Sequence, residues 1–379
     1  MIGDVDVMAN QESNVRILKG FLFELAILHM LLVNGFKRVP LDSSKKDHDA
    51  RAVMSRKCFI ELKGRGGWHQ IDCPCDLNYT SPFMFPIRLL GEVKFTQNKV
   101  SKRVIESYIG VLKDIQENYF VANPDLVIDS KPNRFLEVGC IFSANGFNAQ
   151  AENLAYTHGI KTISYENNVV VDRIKQCIER LVNENIDPNN VTDAGQLLRD
   201  ELNIFFERMH SSEYNYPLYV LNMDSFIRYA LRKVLIGNYE ENLIRLADSI
   251  SSIKGSFIAT TPEGLLLHFV GEQEFPEELF YDSDYAKFRI HIQQESEDGH
   301  AYYLAFRGDH ALQRRFYFSP PAVLKNAIDK NWAKVLDVKK QFLYKLVVHK
   351  IINGLHRTLV LELDYEWIWE KSREYGVKN

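Results

Sequence analysis

Asp72, Glu92 and Lys94 are the residues of this chain whose types and spacing could do chemistry. Two carboxylates beside an ammonium suit a hard divalent cation and a water nucleophile. Carboxylate oxygens ligate the ion, and the ammonium orients the water or offsets developing negative charge. Their common placement follows from strand alternation. Over residues 87–95, Ile87, Leu89, Val93 and Phe95 share one parity, while Arg88, Leu90, Glu92 and Lys94 share the other. A strand therefore turns Glu92 and Lys94 the same way and drives Val93 into an apolar face. Over residues 69–76, Asp72, Pro74 and Asp76 share one face, and Ile71, Cys73 and Cys75 the other. A hairpin of these two strands brings Asp72 beside Glu92 and Lys94 at the end of a sheet.

The surrounding elements must hold that hairpin. Residues 13–34 read as a helix, with Ser13 or Asn14 able to cap its start and Asn34-Gly35 ending it. Its middle is apolar nearly all round, which predicts burial, and Glu24 lies inside that run. A carboxylate there either faces the metal site or pairs with Arg16 or Lys19. A helix over residues 101–120 carries a buried stripe from Val100 to Tyr119. Lys99, Lys102 and Arg103 crowd its first turn, against the helix dipole. A phosphate would be welcomed at that end, or the end is simply solvated. Residues 135–166 read as strand, turn, helix and strand, and residues 169–182 as another helix.

Several stretches together resemble a family. Asp72, a gap, and then Glu92-Val93-Lys94 resemble the PD-(D/E)xK nuclease signature in the version carried by Mrr-like restriction endonucleases. The glycines between Gly64 and Gly67 resemble the Gly-rich approach of that pattern, although an ordinary hairpin turn needs the same residues. Ser143-Ala144-Asn145-Gly146-Phe147, Ala151, Ala155 and His158-Gly159-Ile160 resemble its closing segment. The resemblance spans residues 13–166 in the expected order of elements.

That resemblance implies an α/β fold: a restriction-endonuclease-like N-terminal domain with a mixed central sheet flanked by helices. It also implies metal-dependent hydrolysis of DNA phosphodiester bonds, in restriction or anti-phage defence. Asp72, Glu92 and the Val93 carbonyl would hold Mg²⁺, with Mn²⁺ as a substitute. Lys94 would orient or deprotonate the water, and Glu24 matches the accessory acid on a first helix. Many Mrr-like members carry Gln-x-Lys where this chain has Glu92, and Glu suits a metal at least as well. Junction resolution, RNA cleavage and a non-catalytic core stand as alternatives, and a homodimer or a defence-system partner protein is compatible with the resemblance.

Composition bounds these readings. With 379 residues the chain is long enough for two cores, and 46% hydrophobic and 25% charged residues describe an ordinary globular protein. A net charge of −4 excludes a uniformly basic nucleic-acid coat, so positive charge must be local. Five scattered cysteines predict free thiols and a reducing cytoplasm. Cys58, His69, Cys73 and Cys75 lie close in sequence, but Cys73 and Cys75 have core parity and the second half of a zinc site is missing. The start carries acids where a secretory signal carries Lys or Arg, and the apolar run 21–33 is too short to span a bilayer.

The polar, Pro-containing stretch at 183–192 reads as a linker, dividing a nuclease domain (1–182) from an α+β recognition or regulatory domain (193–379). Helices are expected over 193–209 and 217–252, broken near Gly237. Strands follow over 257–260, 265–270, 287–293, 301–307 and 315–318, then a helix near 321–332 and extended stretches over 341–352 and 356–364. Between Asn331 and Val360, six Lys or Arg face one Asp. Lys339, Lys340 and Lys345 of this group either track a phosphate backbone or form a solvated face.

Overall fold

A computed structural model describes residues 2–41, 51–56, 58–77, 85–117, 135–186, 191–211, 217–281, 286–296, 299–308, 314–321, 324–325, 335–352 and 355–374. The chain opens with α1 (Ile2–Val33), which runs straight through Ser13 and Asn14, so neither caps it. No proline interrupts that stretch. It ends as its last residues predict. Gly35 takes φ 89°, its N–H reaches Leu32 O at 3.0 Å, and the Phe36 N–H reaches Leu31 O at 3.1 Å. This pair of bonds satisfies carbonyls that a helix end otherwise leaves open.

Three short strands, β2 (Ala52–Met54), β3 (Ile60–Lys63) and β4 (Trp68–Gln70), form a small antiparallel sheet. The main sheet has the order β1-β5-β6-β7-β8, from β1 (Lys37–Arg38), β5 (Cys73–Leu77), β6 (Ile87–Lys94), β7 (Leu136–Ser143) and β8 (Lys161–Ser164). β1, β5 and β6 are antiparallel neighbours, and β6, β7 and β8 run parallel. The expected continuous strand over 69–76 is split: β4 ends before Ile71, and β5 begins after Asp72. Asp72 thus stands at the corner between two sheets.

The alternation reads correctly onto the two faces. Leu89, Val93, Cys73 and Cys75 bury against α1, with Cys140 and Phe142 beside them. Leu90 and Ile141 bury on the other face against Ile105, Tyr108 and Leu112 of α2 (Lys102–Glu117), and against Ala151 and Ala155 of α3 (Ala149–Thr157). Asn148 caps α3, its side chain accepting from the Ala151 N–H at 2.7 Å. All five cysteines are free.

The domain boundary differs from the sequence reading. α4 (Val169–Asn185) continues through Asn183, and α5 (Val191–Ser211), α6 (Pro217–Leu231) and α7 (Glu240–Ser251) pack around α1. Leu198 and Leu202 of α5, Phe226 of α6 and Leu246 of α7 share one core with Phe21 and Leu22 of α1. Asn185 is tied to the start of α7, where Asn242 donates to its side chain at 2.8 Å. The helices on either side of the polar stretch therefore belong to one core, with 187–190 outside the described residues. Helices α5 to α7 each have one apolar face and need α1 to bury it.

The expected α+β second domain is a closed seven-stranded barrel in the order β10-β13-β12-β11-β15-β14-β9. Its strands are β9 (Gly255–Thr260), β10 (Leu266–Gly271), β11 (Lys287–Ser296), β12 (Gly299–Phe306), β13 (Phe316–Phe318), β14 (Lys345–Ile352) and β15 (Leu355–Leu363). Phenylalanines fill it. Phe257 stacks on Phe269 at 4.7 Å and meets Phe275 and Phe316 edge-on. Helices α8 (Val335–Phe342) and α9 (Tyr365–Glu374) complete the unit. The helix expected near 321–332 lies almost wholly outside the described residues.

A buried polar chain joins barrel and sheet. Asn34 Nδ2 donates to Ser256 Oγ at 2.6 Å, and His268 lies 2.7 Å from both Ser256 Oγ and Tyr165 Oη. Among the described residues, no helix is long and apolar enough to cross a membrane.

Candidate active site

The pairing of β5 with β6 places Cys73 opposite Gly91, so Asp72 falls next to the last residues of β6. The Val93 N–H donates to Asp72 Oδ2 at 2.9 Å, and the Gln70 side chain also donates to Asp72. Lys94 Nζ donates to Glu92 Oε1, with the two side chains 28% and 21% exposed, so solutes can reach both. Glu24 enters the same region from α1, sharing a cleft with Asp72, Cys73 and Arg199. Lys19, which the sequence offered as its partner, pairs instead with Glu179.

Charge in this cluster is under tension. Burial, then repulsion from Glu92, pushes the Asp72 carboxyl up to about 7, although the Val93 N–H, Lys94 and Gln70 oppose the shift. Burial, then Asp72, raises Glu24 well above the carboxylate range, with Arg199 and Lys94 opposing. Burial works against the Lys94 charge, yet Glu92, Asp72 and Glu24 together hold Lys94 above the ordinary lysine value. Carboxylates crowded so that Glu92 raises the proton affinity of Asp72, and Asp72 that of Glu24, form a donor set that a divalent cation would relieve. Among the described residues, no three His, Cys, Asp or Glu side chains converge tightly enough to cage a metal by themselves. Two carboxylates with open positions fit Mg²⁺, which keeps several waters and takes substrate oxygens.

On the face of β6 that carries Val93, a groove of about 1500 Å³ runs between α1, the end of β6 and α4. Arg16, Lys19, Lys175 and Arg180 line it against two acids, Asp172 and Glu179. In the sequence, Arg16 and Lys19 were named only as partners for Glu24, and Lys175 and Arg180 were not singled out, because the two pairs come from helices far apart in the chain. The same holds for Arg199 on α5.

Other expected residues are placed differently. The glycine turn wraps a carboxylate of the protein itself: the Gly66 N–H donates to Asp114 Oδ1 at 2.8 Å, and His69 Nε2 lies 2.6 Å from Oδ2. A Cβ at Gly64 would fall 2.1 Å from Asp114 Oδ2, so the close approach there is to α2. Lys99 is paired with Glu166 at 3.0 Å and Lys102 with Glu106 at 3.2 Å, while Arg103 is exposed.

The basic group of the second half is dispersed. Lys339 is 5% exposed, donates to Ile290 O at 2.8 Å and lies over the Trp367 ring, and burial lowers its pKa to about 8. It belongs to the barrel wall and cannot track a phosphate backbone. Lys350 is buried as well. Lys345 pairs with Glu362 at 3.3 Å, Lys340 is exposed, and Lys334 lies outside the described residues.

No protein-family model matches this chain, and no curated protein or solved structure matches it significantly. What the arrangement can do chemically rests on its own geometry. It has two carboxylates at one sheet corner, one oriented by a backbone N–H, with a reachable ammonium alongside.

Proposed function

We propose that this chain is a metal-dependent endonuclease that hydrolyses DNA phosphodiester bonds, with a restriction-endonuclease-like core, acting in restriction or anti-phage defence. One observation carries the reading: the Val93 N–H holds Asp72 against the strand that presents Glu92 and Lys94. Asp72, Glu92 and the Val93 carbonyl would hold Mg²⁺ or Mn²⁺. When bound, such an ion polarises a phosphoryl oxygen and lowers the pKa of a bound water.

The chain's own residues do the rest. The Val93 N–H and Gln70 fix the Asp72 carboxylate, so little reorganisation is needed when the site fills. Lys94, held cationic by its neighbours, orients the attacking water and offsets charge on the phosphorane. Glu24, kept proton-rich by burial, is placed to accept or return a proton beside Asp72. The groove along α1 and α4 supplies local positive charge in a chain whose net charge is −4.

The test is incubation of plasmid, linear and modified DNA, and of RNA, with and without Mg²⁺. Mg²⁺-dependent scission of DNA supports the reading, cleavage of RNA alone reassigns the substrate, and inertness towards all four removes it.

A further inference from the structure

Arg199 lies on α5, well beyond the residues that carry the nuclease resemblance, yet it lines the cleft of Glu24 and Asp72. It is 9% exposed, so its charge is almost wholly withdrawn from water. Its guanidinium carbon sits 4.1 Å from the Phe59 ring centroid and 5.2 Å from that of Phe21. Aromatic faces hold the plane of the group and favour its charge, but they occupy none of its N–H donors. Nε is buried without a hydrogen-bond partner, and Glu24 and Asp72 act on the guanidinium through their charge rather than through a hydrogen bond. Buried polar groups are nearly always bonded, and a buried charge without a bonded partner is costly. An arginine kept only to neutralise Glu24 would be paired with it. Arg199 is not.

The space and the charge beside it suit an anion. The cleft holds about 30 Å³, room for roughly two water-sized positions, which the two oxygens of one phosphate edge would occupy. Three carboxylates, Glu24, Asp72 and Glu92, face two cations, Lys94 and Arg199. With Glu24 holding a proton, Lys94, Arg199 and a bound divalent cation outweigh Asp72 and Glu92, and an incoming phosphodiester anion offsets part of that surplus. Guanidinium groups also match phosphate oxygens two at a time.

We infer that Arg199 is the substrate-anion contact of this site, donating to non-bridging oxygens of a nucleic-acid phosphate held beside Asp72. This rests on the phosphodiester reading above and adds the residue that takes the anion. It also makes helix α5 part of the active site.

The experiment uses the full chain with Ca²⁺ in place of Mg²⁺ and a fluorescein-labelled DNA duplex. Arg199→Met keeps the stem between the two rings and removes the charge, and Arg199→Lys keeps a charge without the fork. The expected result is duplex affinity weaker by roughly 10-fold or more in Arg199→Met and partly restored in Arg199→Lys. Ca²⁺ affinity by calorimetry without DNA stays unchanged, and the melting temperature is equal or higher because an unpaired buried charge is gone. Unchanged duplex affinity in Arg199→Met overturns the inference. So does weakened Ca²⁺ binding with a lower melting temperature, which would make Arg199 a structural support for the carboxylates. If the wild type binds duplex through Arg199 but never cleaves, the hydrolase reading fails and the anion contact stands.

Discussion

The Val93 N–H donates to Asp72 Oδ2 at 2.9 Å, at the junction where the chain leaves β4 of the small sheet and enters β5 beside β6. Val93 itself points into the core, 6% exposed, so the bond is anchored by packing on the opposite face. One residue thereby does two things: its side chain locks β6 onto α1, and its backbone aims the neighbouring strand's carboxylate. A carboxylate so held should bind a cation with little ordering cost.

Metal binding is the first consequence. Calorimetric titration with Mn²⁺ should show a single site, weakened roughly 10-fold or more by Asp72→Asn and by Glu92→Gln. Because the Asp72 carboxyl sits at about 7, the ion competes with a proton there. Affinity should therefore rise with pH through about 7 and level off above it, with buffer-dependent heats marking the released proton. A pH-independent affinity, equal in both variants, would place the ion elsewhere.

The shared core of α1 and α5 to α7 makes a prediction about truncation. Ending the chain after Val182 exposes Phe21 and Leu22 and removes Leu198, Phe226 and Leu246, so that fragment should aggregate. In the full chain, Leu246→Ala should cost about 2–5 kcal/mol, since Leu246 is fully buried. Hydrogen exchange would then quicken in α1 as well as in α7. Exchange confined to α7 would mean that the helices form a unit of their own.

His268 ties the barrel to the sheet in its neutral form, since burial pushes its pKa down to about 3. In the unfolded chain the same imidazole titrates near its ordinary value of about 6.5. Between those limits the unfolded state binds more protons, so stability is present above about 6.5 and is lost as pH falls toward 3. Urea unfolding at a series of pH values should show His268→Gln with a shallower acid slope than wild type, by up to about 1.4 kcal/mol per pH unit. Parallel slopes would mean that His268 is not buried and neutral in the native protein.

Much of this was legible along the chain, and the reasons differ residue by residue. The faces of Leu89, Leu90, Glu92 and Lys94 follow from alternation, and the end of α1 follows from Asn34-Gly35, because both are local. The split at Asp72 was not legible, since the parity of residues 69–76 continues unchanged across a corner between sheets. Arg199 was invisible because the residues around it, Phe21 and Glu24 on α1, Phe59, and Asp72 ahead of β5, lie far away in sequence. The linker reading failed because polar residues between two helices mark a turn equally well inside one core and between two. Lys339 shows the limit of counting charge: its stem packs along Trp367 while its ammonium finds a carbonyl, so a cation in the tally is absent from the surface.

The most direct measurement of the central claim is cleavage of supercoiled plasmid by wild type and Lys94→Ala, each in Mg²⁺ and in chelator. Wild type should give nicked and linear products only when Mg²⁺ is present. In Lys94→Ala the rate should be lower by roughly 100-fold or more at an unchanged melting temperature. Equal rates for the two proteins, or cleavage that persists in chelator, would contradict it.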